Sequence, residues 1–251
     1  MTRSASDPEP HRRLAGLGHE LADLVLPRSC PGCGAAQPWC AGCARTLADR
    51  PREPMLGEST LDGFAAAAMA LPQFRALARY RGPARAAVIA GKEHGRRDLP
   101  PRLGRALATG LLRLQRIGLA PPTELWLLPA PTKSTAARGR GGDPVTAMAC
   151  AVARQLAATG QRVSVARTLR TGAGAADSAG LSAAARADNL AGRIKVRRSA
   201  LPPPDAALVL LDDVLTTGAT ALASCLALAA HQRQVSLVLT VAAVPDWRRT
   251  G

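Results

Sequence analysis

The chain has 251 residues, six of them cysteine, a formal net charge of +15 and only 2% aromatic residues. Its length accommodates one α/β domain with a sizeable core plus a small appendage, and the absence of any apolar run long enough to span a bilayer excludes membrane insertion by a helix. The excess of Lys and Arg points to polyanionic partners (nucleic acid, nucleotides or pyrophosphate), while the scarcity of aromatic rings argues against holding single strands by base stacking.

Asp7, Glu9, His11, Arg12 and Arg13 give the first residues charges of both signs, unlike the charged-then-apolar pattern of a secretory leader. The expectation is a cytoplasmic, reducing compartment, where cysteines do not pair as disulfides. Leu14, Leu17, Leu21, Leu24 and Val25 recur at helical spacing, which predicts an amphipathic helix over residues 11–26 within an N-terminal segment 1–27. A module over 28–50 follows, with Cys30-x2-Cys33 and Cys40-x2-Cys43 separated by six residues. Four thiolates in two close pairs match the tetrahedral all-sulfur coordination of structural Zn2+, with every ligand position filled and none left for catalysis. An iron–sulfur centre or redox dithiols are the alternatives. Cys150 and Cys225 stand alone in Ala-rich helical stretches and read as buried, inert thiols.

Residues 51–60, rich in Pro, Arg, Glu and Gly, read as a linker, after which the main domain runs over 60–251. The Ala-rich stretch Phe64 to Leu71 is expected to form an edge strand. A helix near 101–117 carries Leu103, Leu107, Leu111 and Leu114 on one face, with Arg102, Arg105, Arg113 and Arg116 elsewhere around it. Those arginines form either a solvated face or a footprint for a phosphate backbone. Trp126 to Pro129 reads as a short strand breaking into a loop over Pro131, Thr132, Lys133, Arg138 and Arg140. A helix over Val145 to Ala158 and a strand over Val163 to Ala166 come next. The small-residue segment 170–190 then reads as a long loop of the kind that often serves as a lid.

The most informative stretch runs from Ala207 to Thr220. Leu208 to Leu211 is an apolar run suited to a buried parallel strand. It delivers Asp212 and Asp213 to its carboxyl end, followed by Thr216, Thr217, Gly218, Ala219 and Thr220 and an Ala/Leu-rich helix from about Ala219 to Ala230. Loop N–H groups and the positive end of a helix favour a phosphate, and Gly218 permits close backbone approach. Two carboxylates beside such a loop can accept from sugar hydroxyls, so the stretch reads as a holder of a ribose 5'-phosphate. A strand over Val235 to Val244 completes a β-α-β unit.

Asp212-Asp213-Val-Leu-Thr216-Thr217-Gly218-Ala-Thr220 resembles the phosphoribosyl-pyrophosphate (PRPP) signature of type I phosphoribosyltransferases. With the four-cysteine module, Tyr80-Arg81-Gly82, Lys92, Pro129-Ala130-Pro131, Arg138-x-Arg140-Gly141 and Leu181-Ser182-x3-Arg186-x2-Asn189, the chain looks like a ComF family protein. The resemblance implies an α/β type I phosphoribosyltransferase fold, a mostly parallel sheet flanked by helices, joined to the small zinc-binding module. It implies binding of PRPP or a related ribose 5-phosphate ligand, and Mg2+-dependent transfer of phosphoribosyl to an undefined acceptor. Asp212 and Asp213 would be catalytic, Thr216 to Thr220 would hold the 5'-phosphate, and Thr132, Lys133, Arg138 and Arg140 the pyrophosphate. Family members are associated with natural competence, so the competing expectation is a non-catalytic factor that holds single-stranded DNA and docks a DNA-uptake helicase. The chain departs from the family pattern at Gly142, Asp143 and Pro144, where an aromatic residue, Asn and Gln are common, and at Ser178, where glutamine is usual.

Overall fold

A computed structural model describes residues 29–47, 50–121, 124–132, 142–172 and 194–244. The expected helix over 11–26, the loop residues Lys133, Arg138 and Arg140, and Leu181, Ser182, Arg186 and Asn189 lie outside these residues. Five parallel strands form the main sheet: β1 (Gln73–Arg79), β2 (Leu125–Pro129), β3 (Val163–Val165), β6 (Ala207–Leu215) and β7 (Val235–Ala243), in the order β1-β7-β6-β2-β3. A separate antiparallel pair joins β4 (Leu169–Thr171) to β5 (Ile194–Val196). The helices are α1 (Ala41–Arg45), α2 (Glu58–Ala66), α3 (Gly82–Lys92), α4 (Leu99–Arg116), α5 (Pro144–Ala157) and α6 (Ala219–Ala229). Among the described residues, no helix is long and apolar enough to cross a membrane.

Both faces of the sheet are covered, which is why its central strands read as continuous apolar runs. Alternation along β6 sends Val209 and Leu211 to one face, packed with Leu107 and Leu111 of α4 and Val145 and Met148 of α5. Leu208 and Leu210 go to the other, where they meet Phe64 of α2 and Leu222 and Leu228 of α6. The leucine stripe of α4 is fully buried. Gly104 lets α4 approach α5 closely, since a Cβ there would fall 2.5 Å from the Met148 carbonyl oxygen.

The chain between 51 and 71 departs from expectation. Phe64 to Leu71 is not an edge strand: α2 occupies Glu58–Ala66, and the edge is taken by β1, which begins at Gln73. Ala65 to Ala68 offers high helix propensity and no β-branched side chain, so nothing local favours extension. Nor is 51–60 a plain linker. Arg52 exchanges both backbone hydrogen bonds with Ala76, at 2.9 Å each, against the outer edge of β1.

The connections fix where a ligand can enter. From β2 the chain passes through α5 outward to β3, and from β6 through α6 outward to β7 on the opposite side. The order therefore reverses between β2 and β6. In open parallel sheets the crevice outside the carboxyl ends at such a reversal is where ligands bind.

Candidate phosphate-binding loop and cysteine cluster

The loop after β6 lies at that reversal. Gly218 is the N-cap of α6 and adopts φ +90°, a left-handed conformation that strains any residue with a Cβ. Thr216, Thr217 and Thr220 are exposed around it. The Thr217 hydroxyl accepts from the Ala219 N–H at 3.3 Å, and the Leu222 N–H donates to the Gly218 carbonyl at 2.9 Å to start the helix. Among the described residues, no hydrogen bond engages the N–H groups of Thr216, Thr217, Gly218 or Thr220. Those of Gly218 and Thr220 belong to the unpaired donors of a helix start, and with the two loop N–H groups before them they lie at the end of the sheet, where an anion is favoured. On the β2 side of the crevice, Ala130 N–H donates to the Leu211 carbonyl at 2.8 Å, which places Pro131 and Thr132 at its rim. The Thr132 carbonyl accepts from the Thr171 hydroxyl at 3.2 Å.

The loop has a support that sequence reasoning missed. Thr60, buried in α2, donates its hydroxyl to the Thr217 carbonyl at 2.7 Å. The same side chain lies against Gly218, where an added Cβ would come to 3.0 Å from its methyl. No local signal marks Thr60, because 157 residues separate it from its partner.

Asp212 and Asp213 fall inside β6 and, as neighbours on a strand, face opposite sides of the sheet. Asp212 lines a small cleft beneath the loop with Thr216, Gly218, Thr220 and Thr240. Its Oδ1 accepts from the Asp213 N–H at 2.8 Å. Burial, and then the charge of Asp213, pushes the Asp212 carboxyl up to about 8. Asp213 faces α3, where the Lys92 ammonium lies 2.9 Å from Oδ2 and 3.2 Å from Oδ1. Its side chain is 7% exposed, while that of Lys92 is 41% exposed. Burial alone would lower the Lys92 ammonium, but Asp213 and then Asp212 outweigh it and raise it.

The raised Asp212 carboxyl has a thermodynamic consequence. An acid whose folded-state pKa exceeds its unfolded value near 3.8 binds more protons when folded, so stability falls as pH rises from about 4 to about 8. Asp212→Asn keeps the acceptor for the Asp213 N–H and removes the charge. Its melting temperature is expected to exceed that of the parent by a few degrees at pH 8 and to match it at pH 4, read by scanning calorimetry across pH. A constant difference at all pH values would show that burial does not perturb this group.

The four cysteines of the N-terminal module converge. The Sγ atoms of Cys30, Cys33, Cys40 and Cys43 all lie within 4.8 Å of one another, and Cys33 and Cys40 approach to 3.5 Å. Four sulfurs each ~2.3 Å from a central ion would stand about 3.8 Å apart, so the set fits a metal such as zinc. Cys40 caps α1, its sulfur accepting from the Cys43 N–H at 3.3 Å. Burial pushes Cys30 up, but backbone donors at Cys40 and Gly32 outweigh it and bring the thiol down to about 6. Burial and the neighbouring sulfurs hold Cys43 well above the usual thiol range. Arg96 fastens the module to the domain: it donates to the Ser29 and Pro38 carbonyls at 3.0 and 2.9 Å while gripping the Asp98 carboxylate at 2.8 and 3.0 Å.

Of the other two cysteines, Cys225 is buried and its thiol is pushed up to about 12 by that burial, whereas Cys150 is only half-buried. On α4, Arg105, Arg113 and Arg116 are exposed, while Arg102 is half-buried 4.0 Å from Asp98. No protein-family model matches this chain, and no curated protein matches it either.

Proposed function

We propose that this protein has the type I phosphoribosyltransferase fold of the ComF family and binds PRPP or a related ribose 5-phosphate in the crevice between β2 and β6. The observation that carries this reading is the Thr216–Thr220 loop, with its left-handed glycine, unpaired N–H groups and the Asp212–Asp213 pair before it, set where the strand order reverses. The loop amides and the start of α6 hold the 5'-phosphate, a group that does not react and whose binding positions the sugar. In the transfer reaction the C1–O bond of the ribose breaks, its electron pair leaving with pyrophosphate. A nucleophilic atom of the acceptor bonds to C1 and gives up its proton. Asp213, paired with Lys92, supplies negative charge against the cation that develops on the sugar. Asp212, with its raised carboxyl, serves as a hydrogen-bonding partner of a ribose hydroxyl. Mg2+, if carried in with PRPP, would offset charge on the pyrophosphate oxygens. Asp213 is engaged with Lys92 and the Asp212 carboxyl with the Asp213 N–H, so the ion would be held chiefly by the ligand's own phosphates. Thr132 at the rim, with Lys133, Arg138 and Arg140, supplies the remaining donors.

Calorimetry tests the reading. The protein is expected to bind PRPP in the presence of Mg2+, and Asp213→Asn to weaken that binding at least tenfold. Lys92→Met, which leaves a nearly buried carboxylate without its cation, is expected to weaken binding to a similar extent. Absence of PRPP binding by the parent protein, with or without Mg2+, would falsify the proposal. Release of pyrophosphate in the presence of candidate bases identifies the acceptor.

A further inference from the structure

A cleft of about 720 Å³ opens along the outer edge of β1, between the cysteine module and the start of α3. Arg50, Arg52, Arg79 and Arg81 line it, with Gly82 and Ala84 of α3, and among the described residues no acidic side chain is part of its lining. The topology brings these arginines together. Arg52 is locked opposite Ala76 by two backbone hydrogen bonds, and Arg50, two residues before it, lines the same cleft with Ala78. β1 ends at Arg79, and Arg81 follows as the N-cap of α3. Among the described residues, the guanidinium groups of Arg50, Arg52 and Arg81 make no hydrogen bond or ion pair. Positive potential also comes from α3, an 11-residue helix whose N-cap, Arg81, makes no side-chain capping bond.

We infer that this cleft is a second anion site, separate from the loop after β6, which takes a chain of linked phosphate groups. Guanidinium forks pair bidentately with phosphate oxygens, and the mutual repulsion of Arg50, Arg52 and Arg81, which have no partner among the described residues, is relieved by a multivalent anion. The volume suits a ligand of nucleotide size. The phosphates belong to a nucleotide's polyphosphate tail or to a nucleic-acid backbone, and the two arms of the experiment separate these sources.

Inorganic tripolyphosphate is titrated calorimetrically into the full, zinc-loaded chain at low salt, and a labelled 12-nucleotide oligo-dT is titrated by fluorescence anisotropy. Arg52→Gln/Arg81→Gln is expected to weaken tripolyphosphate binding at least tenfold. Arg105→Gln/Arg113→Gln/Arg116→Gln on α4 leaves it unchanged, and Arg52→Lys/Arg81→Lys restores much of it, which excludes a folding defect. Parallel loss of oligonucleotide affinity, with a shallower salt slope, assigns the cleft to a nucleic-acid backbone. Unaltered oligonucleotide affinity assigns it to a nucleotide tail. Saturating PRPP is expected to leave tripolyphosphate binding intact in the parent, and the double glutamine variant to bind PRPP normally. The inference fails if the glutamine variant binds tripolyphosphate like the parent, if the parent does not bind it, or if PRPP displaces it completely.

Discussion

Removing the metal from the cysteine module, by chelation or by Cys43→Ser, is expected to unfold residues 29–47 and to lower the melting temperature of the chain. Structural zinc contributes on the order of 10 kcal/mol to the small modules that it closes, and this module has little else to hold it. Its buried hydrophobic side chains are few: Cys30, Cys43 and Leu47. Gly32 is wedged between the Cys43 sulfur and Pro83 of α3, where a Cβ would lie 2.7 and 2.9 Å from them. Loss of the cluster therefore loosens the start of α3 together with the Arg96 contacts. Circular dichroism and metal analysis of the purified chain read the effect, with re-addition of zinc restoring both signals. Because Cys43 starts as a thiol held above its ordinary range, zinc must displace its proton. Affinity then falls as pH falls, which competition with a chromogenic chelator across pH measures. A chain that melts identically with and without metal would show that the four sulfurs close no structural site.

The parts of this architecture that the sequence reveals are those encoded within a few residues. Cys30 to Cys43 shows its purpose through spacing alone, and β6 with α6 is visible because an apolar run, an acid pair and a glycine follow in fixed order. What sequence leaves hidden is long-range. Thr60 meets Thr217 across 157 residues and Lys92 meets Asp213 across 121, and neither pairing leaves a periodic or compositional trace. The parting of Asp212 from Asp213 follows from strand alternation once β6 is known to run through Leu215. A strand taken to end at Leu211 conceals it. At α2, the helix propensity of the alanines is a better local guide than the expectation of an edge strand, and Phe64 of that helix packs against Phe74 of β1 with ring centroids 6.2 Å apart.

Gly218→Val is expected to reduce affinity for PRPP, or for any phosphate ligand of the loop, by tenfold or more. Two physical terms combine. At φ +90° a β-branched residue is a steric outlier, with a cost of roughly 1–3 kcal/mol. The new Cβ also approaches the Thr60 methyl to 3.0 Å and its hydroxyl oxygen to 3.2 Å, displacing the group that fixes the Thr217 carbonyl. The loop relaxes by shifting its exposed N–H groups, so binding suffers more than folding does. Thr60→Val separates the terms: it keeps the shape beside Gly218 but abolishes the 2.7 Å hydrogen bond, worth about 1 kcal/mol. In Thr60→Ala/Gly218→Ala the crowding is relieved while the backbone strain stays, so the double variant binds better than additivity of the single changes predicts. Calorimetric affinities for the parent, Gly218→Val, Thr60→Val, the Thr60→Ala and Gly218→Ala single variants and their double, set against their melting temperatures, resolve the contributions. A Gly218→Val protein that holds PRPP as tightly as the parent would show that these amides grip no phosphate.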